Sequence, residues 1–250
     1  MTRLQAVLMA GLLALPGAAA FAAAVPDYIT AALSDPARAK GATVDARRHP
    51  AELAAFAEVK PGDTVVDLIP GGGYFTRIFS QIVGPNGHVY AVWPNEYAKE
   101  DGDDVALTQV LAKDPHYANV TLLMQPGAAF SLPVKADVVW TSQNYHDYPD
   151  KFMGKIDPKV LNEAVFAALK PGGVFVIVDH AAQAGSGMRD TDTLHRIDPN
   201  IVKDQVMAAG FKFDGETDVL RNAADDHTKL VFDKAIRGHT DQFGYRFRKP

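Results

Sequence analysis

Residues that could move protons or contact a substrate gather in one short polar segment, SQNYHDY, at residues 142–148. It places Asn144, Tyr145 and His146 side by side. Histidine is the side chain whose ordinary pKa best suits a general base near neutral pH. We therefore predict that His146 is a catalytic base or substrate contact and that Asn144 and Tyr145 position the substrate. The alternative is that these residues only cap the next helix.

Acids and histidines also occur together at Asp179-His180, in the loop that contains His195-Arg196, and at residues 225–227. Such groups could hold a metal if they converged. However, the neighbouring pairs do not have the i, i+4 spacing of a helical metal site, and no zinc signature is present. The sequence therefore predicts no bound metal. For the cluster at 225–227 it favours salt bridges and caps that tie the tail to the rest of the fold.

A third candidate site is VVDLIPGGGYFT, residues 65–76, which reads as a strand, a glycine turn and a helix. Glycine allows a positive φ and lets a ligand lie against the backbone, and the start of a helix offers free N–H groups. We predict a nucleotide-like ligand in contact with Asp67, Pro70, Gly71, Gly72, Gly73 and Tyr74. The alternative is that the glycines serve only the geometry of the turn.

Apolar segments at 64–68, 88–93, 119–124, 136–141 and 174–179 read as strands, and helical patterns at 74–82, 99–112 and 158–169 alternate with them. This alternation predicts an α/β fold with a doubly wound, mostly parallel sheet, whose ligands bind at the carboxyl ends of the strands. Residues 211–220 and 242–248 bring the strands to seven. The last segment alternates aromatic and polar residues, which predicts an antiparallel C-terminal edge strand.

Residues 1–24 carry Arg3, then an apolar run and then small residues. This layout predicts a cleaved export signal, with a membrane anchor as the alternative, although the run is short for a span of about 20 residues. We predict three parts: the signal at 1–24, an N-terminal leader at 25–49 and one domain at 50–250. The product is expected to be periplasmic or secreted, without a stable membrane anchor.

Charge and cysteine content exclude several classes of protein. The formal net charge of −5 becomes −6 when the signal, with its single cationic residue, is removed. An acidic balance gives no electrostatic support for binding nucleic acid or an anionic membrane. The chain has no cysteine, which excludes disulfides and thiolate chemistry. A small-molecule or protein partner is therefore expected, and the sequence does not indicate an oligomeric state.

Residues from about 45 to 249 resemble a class I S-adenosylmethionine-dependent methyltransferase. VVDLIPGGGYFT is similar to the first-strand motif of that family, Gly87 to Val92 to its second strand, and ALKPGGVFVIVDH, Ala168 to His180, to its entry into strand five. More narrowly, the segments LHRIDP, DDHT and IRGHTDQF resemble a group of exported predicted methyltransferases. The resemblance implies a Rossmann-like methyltransferase fold and S-adenosyl-L-methionine as cofactor. It also implies methyl transfer to an acceptor that we predict to be a small molecule.

The chain departs from the family pattern at three positions. Ile69 replaces the first glycine of the loop, Trp93 replaces the acid that usually binds the ribose, and Ala128 replaces the acid that meets the adenine amine. Glu96 is the acid nearest to the ribose position. Trp93 either stacks on the cofactor or fills the edge of the sheet. Asp67 keeps the family's place beside the amino-acid part of the cofactor, and Asn144 is expected to lie close by.

Two functions remain open at this point. The first is an exported S-adenosylmethionine-dependent methyltransferase. The alternative is an exported ligand-binding or differently catalytic protein that keeps the fold but has lost the usual cofactor contacts. The absence of a G-x-S-x-G elbow argues against an α/β-hydrolase, and the glycine loop lacks the lysine of a P-loop.

Overall fold

The computed structural model describes residues 25–250, so the predicted export signal at 1–24 lies outside the described range. The helices in this range are α1 (Asp27–Leu33), α2 (Ala39–Ala42), α3 (Asp45–Arg48), α4 (Pro50–Phe56), α5 (Tyr74–Val83), α6 (Asn95–Glu100), α7 (Gly102–Leu111), α8 (Pro158–Ala168), α9 (Thr191–Leu194) and α10 (Pro199–Ala208). The strands are β1 (Thr64–Leu68), β2 (His88–Pro94), β3 (Val120–Gln125), β4 (Ala136–Ser142), β5 (Leu169–His180), β6 (Lys212–Thr217) and β7 (Gln242–Arg248). Among residues 25–250, no helix combines the length and apolar character needed to cross a membrane.

The seven strands form one sheet in the order β3-β2-β1-β4-β5-β7-β6. Strands β1 to β5 pair in parallel, and β7 runs antiparallel to both of its neighbours. The chain moves outward from β1 to β3 and then returns to β4 on the other side of β1. The predicted doubly wound, mostly parallel α/β sheet is therefore confirmed.

The central strands are apolar because both faces of the sheet are covered. Successive residues of a strand point to opposite faces. Val65 accordingly packs with Phe79 on the side of α5, and Val66 packs with Val165 on the side of α8. Each face therefore has its own hydrophobic core, and the strand pattern is continuous rather than alternating.

The position of β7 differs in part from the sequence prediction. Its antiparallel direction is confirmed, but it lies between β5 and β6, and β6 forms the edge. The polar residues of β7 suggested a half-exposed edge because their covering partners are distant in sequence. In the fold, Arg246 Nε donates to Asp214 Oδ2 at 2.8 Å and Nη1 donates to the carbonyl of Phe56 at 2.8 Å.

Residues 25–49, predicted as a leader, form α1 to α3 and pack on the sheet domain. Ile29 is fully buried in the core beside α5. The guanidinium of Arg38 donates to both carboxylate oxygens of Asp45, and the hydroxyl of Tyr74 donates to Asp45 Oδ1 at 2.6 Å. These contacts hold α3 against the first turn of α5. The segment therefore helps to form the wall of the site described next.

Candidate functional site

A cavity of about 760 Å³ lies where the carboxyl ends of β1, β4 and β5 meet. This is where the strand order reverses, which is the usual position of ligand sites in open α/β sheets. Most of the residues predicted from sequence line it, namely Asp67, Pro70, Gly71, Gly72, Tyr74, Asn144 and His146. Its volume lies within the range typical of small-molecule sites.

Asp67 ends β1 beneath the glycine loop and is almost completely buried. The hydroxyl of Thr76, in the first turn of α5, donates to Asp67 Oδ2 at 2.6 Å. Burial disfavours the charged carboxylate and raises the pKa of Asp67 to about 6, although Thr76 and Arg48 oppose this shift. The carboxyl group is therefore anionic at neutral pH and becomes protonated in mildly acidic solution.

The raised pKa of Asp67, about 6, gives a testable pH dependence. Between a pKa of about 4 in the unfolded chain and about 6 in the folded protein, the folded state holds the proton more tightly, so stability falls as pH rises through this window. Relative to an Asp67→Asn variant, the wild-type protein should lose about 2 kcal/mol of unfolding free energy between pH 4 and pH 6. Urea unfolding at pH 4, 5, 6 and 7 measures this difference. Parallel curves for the two proteins would contradict it.

The glycine loop keeps the backbone shape that its sequence departure put in question. Ile69 has a φ of 57°, the left-handed conformation that glycine normally supplies, and its N–H donates to the carbonyl of Val92 at 2.9 Å. A β-branched residue rarely adopts this conformation, which costs about 1–3 kcal/mol. Burial of the Ile69 side chain offsets this cost. The substitution therefore changes the side chain and leaves the turn intact.

Gly73 is required for a close approach rather than for contact with a ligand. It caps α5 at a φ of 79°, and a Cβ at this position would lie 2.8 Å from Leu111 Cδ1 of α7. Gly73 does not line the cavity, so its predicted contact with a cofactor is not supported. Its role in the structure is to let α5 and α7 pack closely behind the loop.

Trp93 does not line the cavity. Its side chain is fully buried at the end of β2, and its indole N–H donates to Thr108 Oγ1 of α7 at 2.9 Å. The predicted cofactor contact of Trp93 is therefore not supported, and the alternative, that it fills the edge of the sheet, describes its position. Tyr145 is also fully buried, with its hydroxyl bonded to Gln205 and Asn162, so it does not face a substrate in the cavity.

Beside the glycine loop, the cavity is lined by acids at the start of α7 rather than by an acid at the end of β2. Glu96 accepts a hydrogen bond from the N–H of Gly127 at 2.8 Å and does not line the cavity. Asp101 and Asp104 do line it, and a Cβ on Gly72 would lie 3.3 Å from Asp104 Oδ1. Burial and the neighbouring Asp104 raise the pKa of Asp101. Two carboxylates thus lie beside the glycine loop.

Arg48 is a cavity residue that the sequence prediction missed. It ends α3, lines the cavity, and holds its guanidinium 4.4 Å from the centre of the Tyr74 ring. Burial lowers the pKa of Arg48, although a guanidinium remains charged at neutral pH. The adjacent basic pair at residues 47 and 48 was visible in the sequence, but nothing local linked it to Asp67.

His146 also lines the cavity and lies in a 3-10 helix (Tyr145–Asp147) that follows β4. Its backbone N–H donates to Asp179 Oδ2 at 2.8 Å, and its Nδ1 lies 2.7 Å from Asp179 Oδ1. Its Nε2 lies 3.2 Å from Asp147 Oδ1 and 3.2 Å from His195 Nδ1. Burial alone would lower the pKa of His146, but Asp179 and Asp147 outweigh it and raise the pKa well above its ordinary value. Without a further ligand, His146 is thus a held imidazolium rather than a free base.

Asn144 faces the same cavity and donates from Nδ2 to the hydroxyl of Tyr97 at 3.2 Å. His180, at the end of β5, also lines it and lies 2.7 Å from Thr240 Oγ1 through Nδ1. Burial and the charges of His146 and Arg196 lower the pKa of His180 well below its ordinary value. A neutral imidazole therefore lies close to the charged one.

The cluster at residues 225–227 is structural, as the sequence favoured. Arg196 Nη1 lies 2.9 Å from Asp225 Oδ2, and both side chains are almost completely buried. The carboxylate of Asp225 also accepts the N–H of Asp241 at 2.7 Å. These bonds tie the segment before β7 to the loop that follows β5.

The curated proteins named below, which are similar to this chain in sequence, are methyltransferases. No protein-family profile matches the chain. The chain is 29% identical over 137 residues to a protein-L-isoaspartate O-methyltransferase of Ignicoccus hospitalis, covering 55% of this chain and 56% of that protein. It is 28% identical over 135 residues to the ubiquinone/menaquinone biosynthesis C-methyltransferase UbiE of Hydrogenovibrio crunogenus, covering 53% of this chain and 47% of that protein. The chain therefore spans about half the length of the curated relatives it matches.

Solved structures extend the likeness over most of the chain. A SAM-dependent methyltransferase from Aquifex aeolicus aligns with a TM-score of 0.57 at 18% identity, over 89% of this chain and 97% of that one. The glycopeptide N-methyltransferase MtfA in complex with S-adenosyl-L-methionine aligns with a TM-score of 0.54 at 17% identity, over 80% of this chain and 87% of that one. At this level of identity the likeness concerns the fold. The chain has the Rossmann-like fold of S-adenosylmethionine-dependent methyltransferases.

Proposed function

We propose that this protein is a methyltransferase that uses S-adenosyl-L-methionine and acts on a small-molecule acceptor. The observation that carries the proposal is the position of Asp67, buried at the carboxyl end of β1 and open to a cavity that the glycine loop also lines. A buried carboxylate beside free helix N–H groups suits a ligand with both a cationic and a polar end. The two curated relatives and the two solved structures named above are methyltransferases and support the same activity.

The charged residues of the cavity fit the functional groups of the cofactor. Asp67 would accept a hydrogen bond from its ammonium group, and Arg48 would pair with its carboxylate. Asp101 or Asp104 would bind the ribose hydroxyls in place of the acid that the family carries at the end of β2. A carboxylate–diol bond is charge-assisted. Either residue would therefore supply the ribose contact that the family's acid makes and that Trp93 does not.

Methyl transfer needs the acceptor to be aligned with the methyl group that the cofactor supplies. On the acceptor side, this chain offers Asn144, His146 and His180, which also line the cavity. These groups would orient an acceptor. The cavity size and the acidic net charge favour a small molecule over a nucleic acid.

The alternative function, a binding protein that has lost the cofactor, loses much of its support from the geometry. Ile69 adopts the backbone conformation of a glycine. Asp101 and Asp104 line the cavity and would replace the acid that the family carries at the end of β2. A protein of this second kind would bind neither S-adenosylmethionine nor S-adenosylhomocysteine.

Calorimetry with S-adenosylhomocysteine tests the proposal. The purified wild-type protein should bind S-adenosylhomocysteine. Asp67→Ala should weaken this binding about 10- to 100-fold, because a charge-assisted bond contributes about 1.5–3 kcal/mol. Asp103→Ala, an exposed acid outside the cavity, serves as the control and should leave the affinity unchanged. No measurable heat with either S-adenosylmethionine or S-adenosylhomocysteine at millimolar concentration would refute the proposal.

We also propose that the protein is exported, on the strength of the residue pattern at 1–24. The mature chain would then begin near residue 25 and act outside the cytoplasm. Mass spectrometry of the protein recovered from a bacterial periplasmic fraction would give its N-terminus. Recovery of the uncleaved chain from the cytoplasm alone would contradict the proposal.

A further inference from the structure

Three side chains that line the cavity have the geometry of metal ligands. His146 Nε2, Asp147 Oδ1 and His195 Nδ1 all face one another. Two of the three separations are 3.2 Å and the third, between Asp147 Oδ1 and His195 Nδ1, is 3.5 Å. Ligand atoms placed tetrahedrally at the usual zinc distances of about 2.0–2.1 Å lie about 3.3–3.4 Å apart. The three atoms are therefore spaced as the corners of one tetrahedral face.

The surroundings of His146 fix its ring in the orientation that a metal ligand needs. Asp179 is fully buried and accepts hydrogen bonds from the backbone N–H groups of His146 and His180, each at 2.8 Å. Its Oδ1 also lies 2.7 Å from His146 Nδ1. An imidazole that donates Nδ1–H to a carboxylate presents the lone pair of Nε2, and this carboxylate–histidine arrangement is typical of metal sites. The Nε2 lone pair of His146 then points at Asp147 and His195.

His195 is held in place at a cost in backbone energy. It follows α9 with a φ of 51°, a conformation that non-glycine residues adopt infrequently, and its ring packs 5.0 Å from the ring of Phe232. Strained residues of this kind cluster at functional sites. In this conformation Nδ1 of His195 lies 3.2 Å from His146 Nε2 and 3.5 Å from Asp147 Oδ1.

We propose that His146, Asp147 and His195 bind a single divalent transition-metal ion, for which zinc is the best fit. Two imidazoles and one carboxylate suit such an ion, and the spacing favours tetrahedral over octahedral coordination. All three ligands line the cavity, so the fourth position would open into it. An oxygen-bearing acceptor, such as an alcohol, a phenol or a carboxylic acid, would take that position. The prediction from sequence was that no metal binds, because the adjacent acid–histidine pairs lack i, i+4 spacing and no zinc signature is present; His146 and His195 lie 49 residues apart and meet only in the fold.

Metal titration of the tag-free, chelator-treated protein tests this site without any cofactor. Isothermal titration with Zn²⁺ should show one ion bound per chain with a dissociation constant at or below about 1 μM. Co²⁺ should give the intense visible absorption of a four-coordinate ion. These readouts are independent of S-adenosylhomocysteine binding, so failure of the metal site and failure of the proposed methyltransferase activity are distinguishable.

The variant His195→Gly removes one ligand and also relieves the positive φ, so it should fold. It should weaken Zn²⁺ binding at least about 10-fold. The matched control is His49→Gly, since His49 has a similar φ of 46° but lies outside the cavity. This control should bind Zn²⁺ as the wild-type protein does. The proposal is overturned if the wild-type protein binds no Zn²⁺ at about 100 μM, or if His195→Gly binds it within 10-fold of wild type. The weak spectrum of six-coordinate Co²⁺ would overturn the assignment to tetrahedral zinc.

Discussion

Replacing Arg196 with alanine should lower the free energy of unfolding by about 3–5 kcal/mol, because it leaves a buried carboxylate without its partner. The guanidinium of Arg196 is fully buried and donates to Asp225, to the carbonyl of Ala181 and to the carbonyl of Lys229. The substitution removes all of these bonds at once. Urea unfolding followed by circular dichroism measures the loss.

The control for this experiment is Arg189→Ala. Arg189 also pairs with an aspartate, Asp190, at 2.8 Å, but its side chain is 63% exposed. Solvent screens such a pair, so the control should unfold close to the wild-type midpoint. Equal losses in the two variants would show that burial does not strengthen the contribution of Arg196. The double variant Arg196→Met with Asp225→Leu should recover part of the stability, since no unpaired charge then remains.

The second large effect is expected at Trp93. Trp93→Ala should cost about 3–5 kcal/mol of unfolding free energy, because it opens a cavity between β2 and α7. Trp93→Phe keeps much of the volume, loses the bond to Thr108 and should cost about 1–2 kcal/mol. Unfolding in urea at pH 7 compares the three proteins.

The same Trp93→Phe variant separates the two interpretations of this residue. Since the ring lies outside the cavity, the affinity for S-adenosylhomocysteine should stay within about 2-fold of the wild-type value. A 10-fold loss of affinity with nearly unchanged stability would mean that Trp93 touches the ligand directly. Calorimetry on the folded variant gives the answer.

The sheet was predictable because its signals are local. The strand Thr64–Leu68 and the start of α5 at Tyr74 match the prediction, since a run of β-branched residues and a glycine turn determine them within a dozen positions. The predicted helix at 99–112 instead forms two helices that break at Asp101. A glycine follows the break, and Asp101 has torsion angles outside the helical region there, with φ −124° and ψ 50°.

The direction in which side chains point was less predictable. Trp93 lies near the end of β2 and Tyr145 follows β4, yet both side chains are buried in the core, where their polar atoms bond to partners on α7 and α8. Arg48 enters the cavity from a segment that precedes the sheet. The cluster of His146 with His195 forms only when two loops fold over the same strand end. Contacts of this kind depend on the tertiary structure, and no local pattern reports them.

The left-handed conformation of Ile69 has a consequence for the entropy of ligand binding. A glycine at this position would leave the loop free to sample many conformations, and a ligand would have to order it. With isoleucine, the surrounding core already imposes one conformation. The loop is therefore preorganised, so less conformational entropy is lost when a ligand binds. The strain lowers the stability of the free protein, and the loop is rigid before a ligand binds.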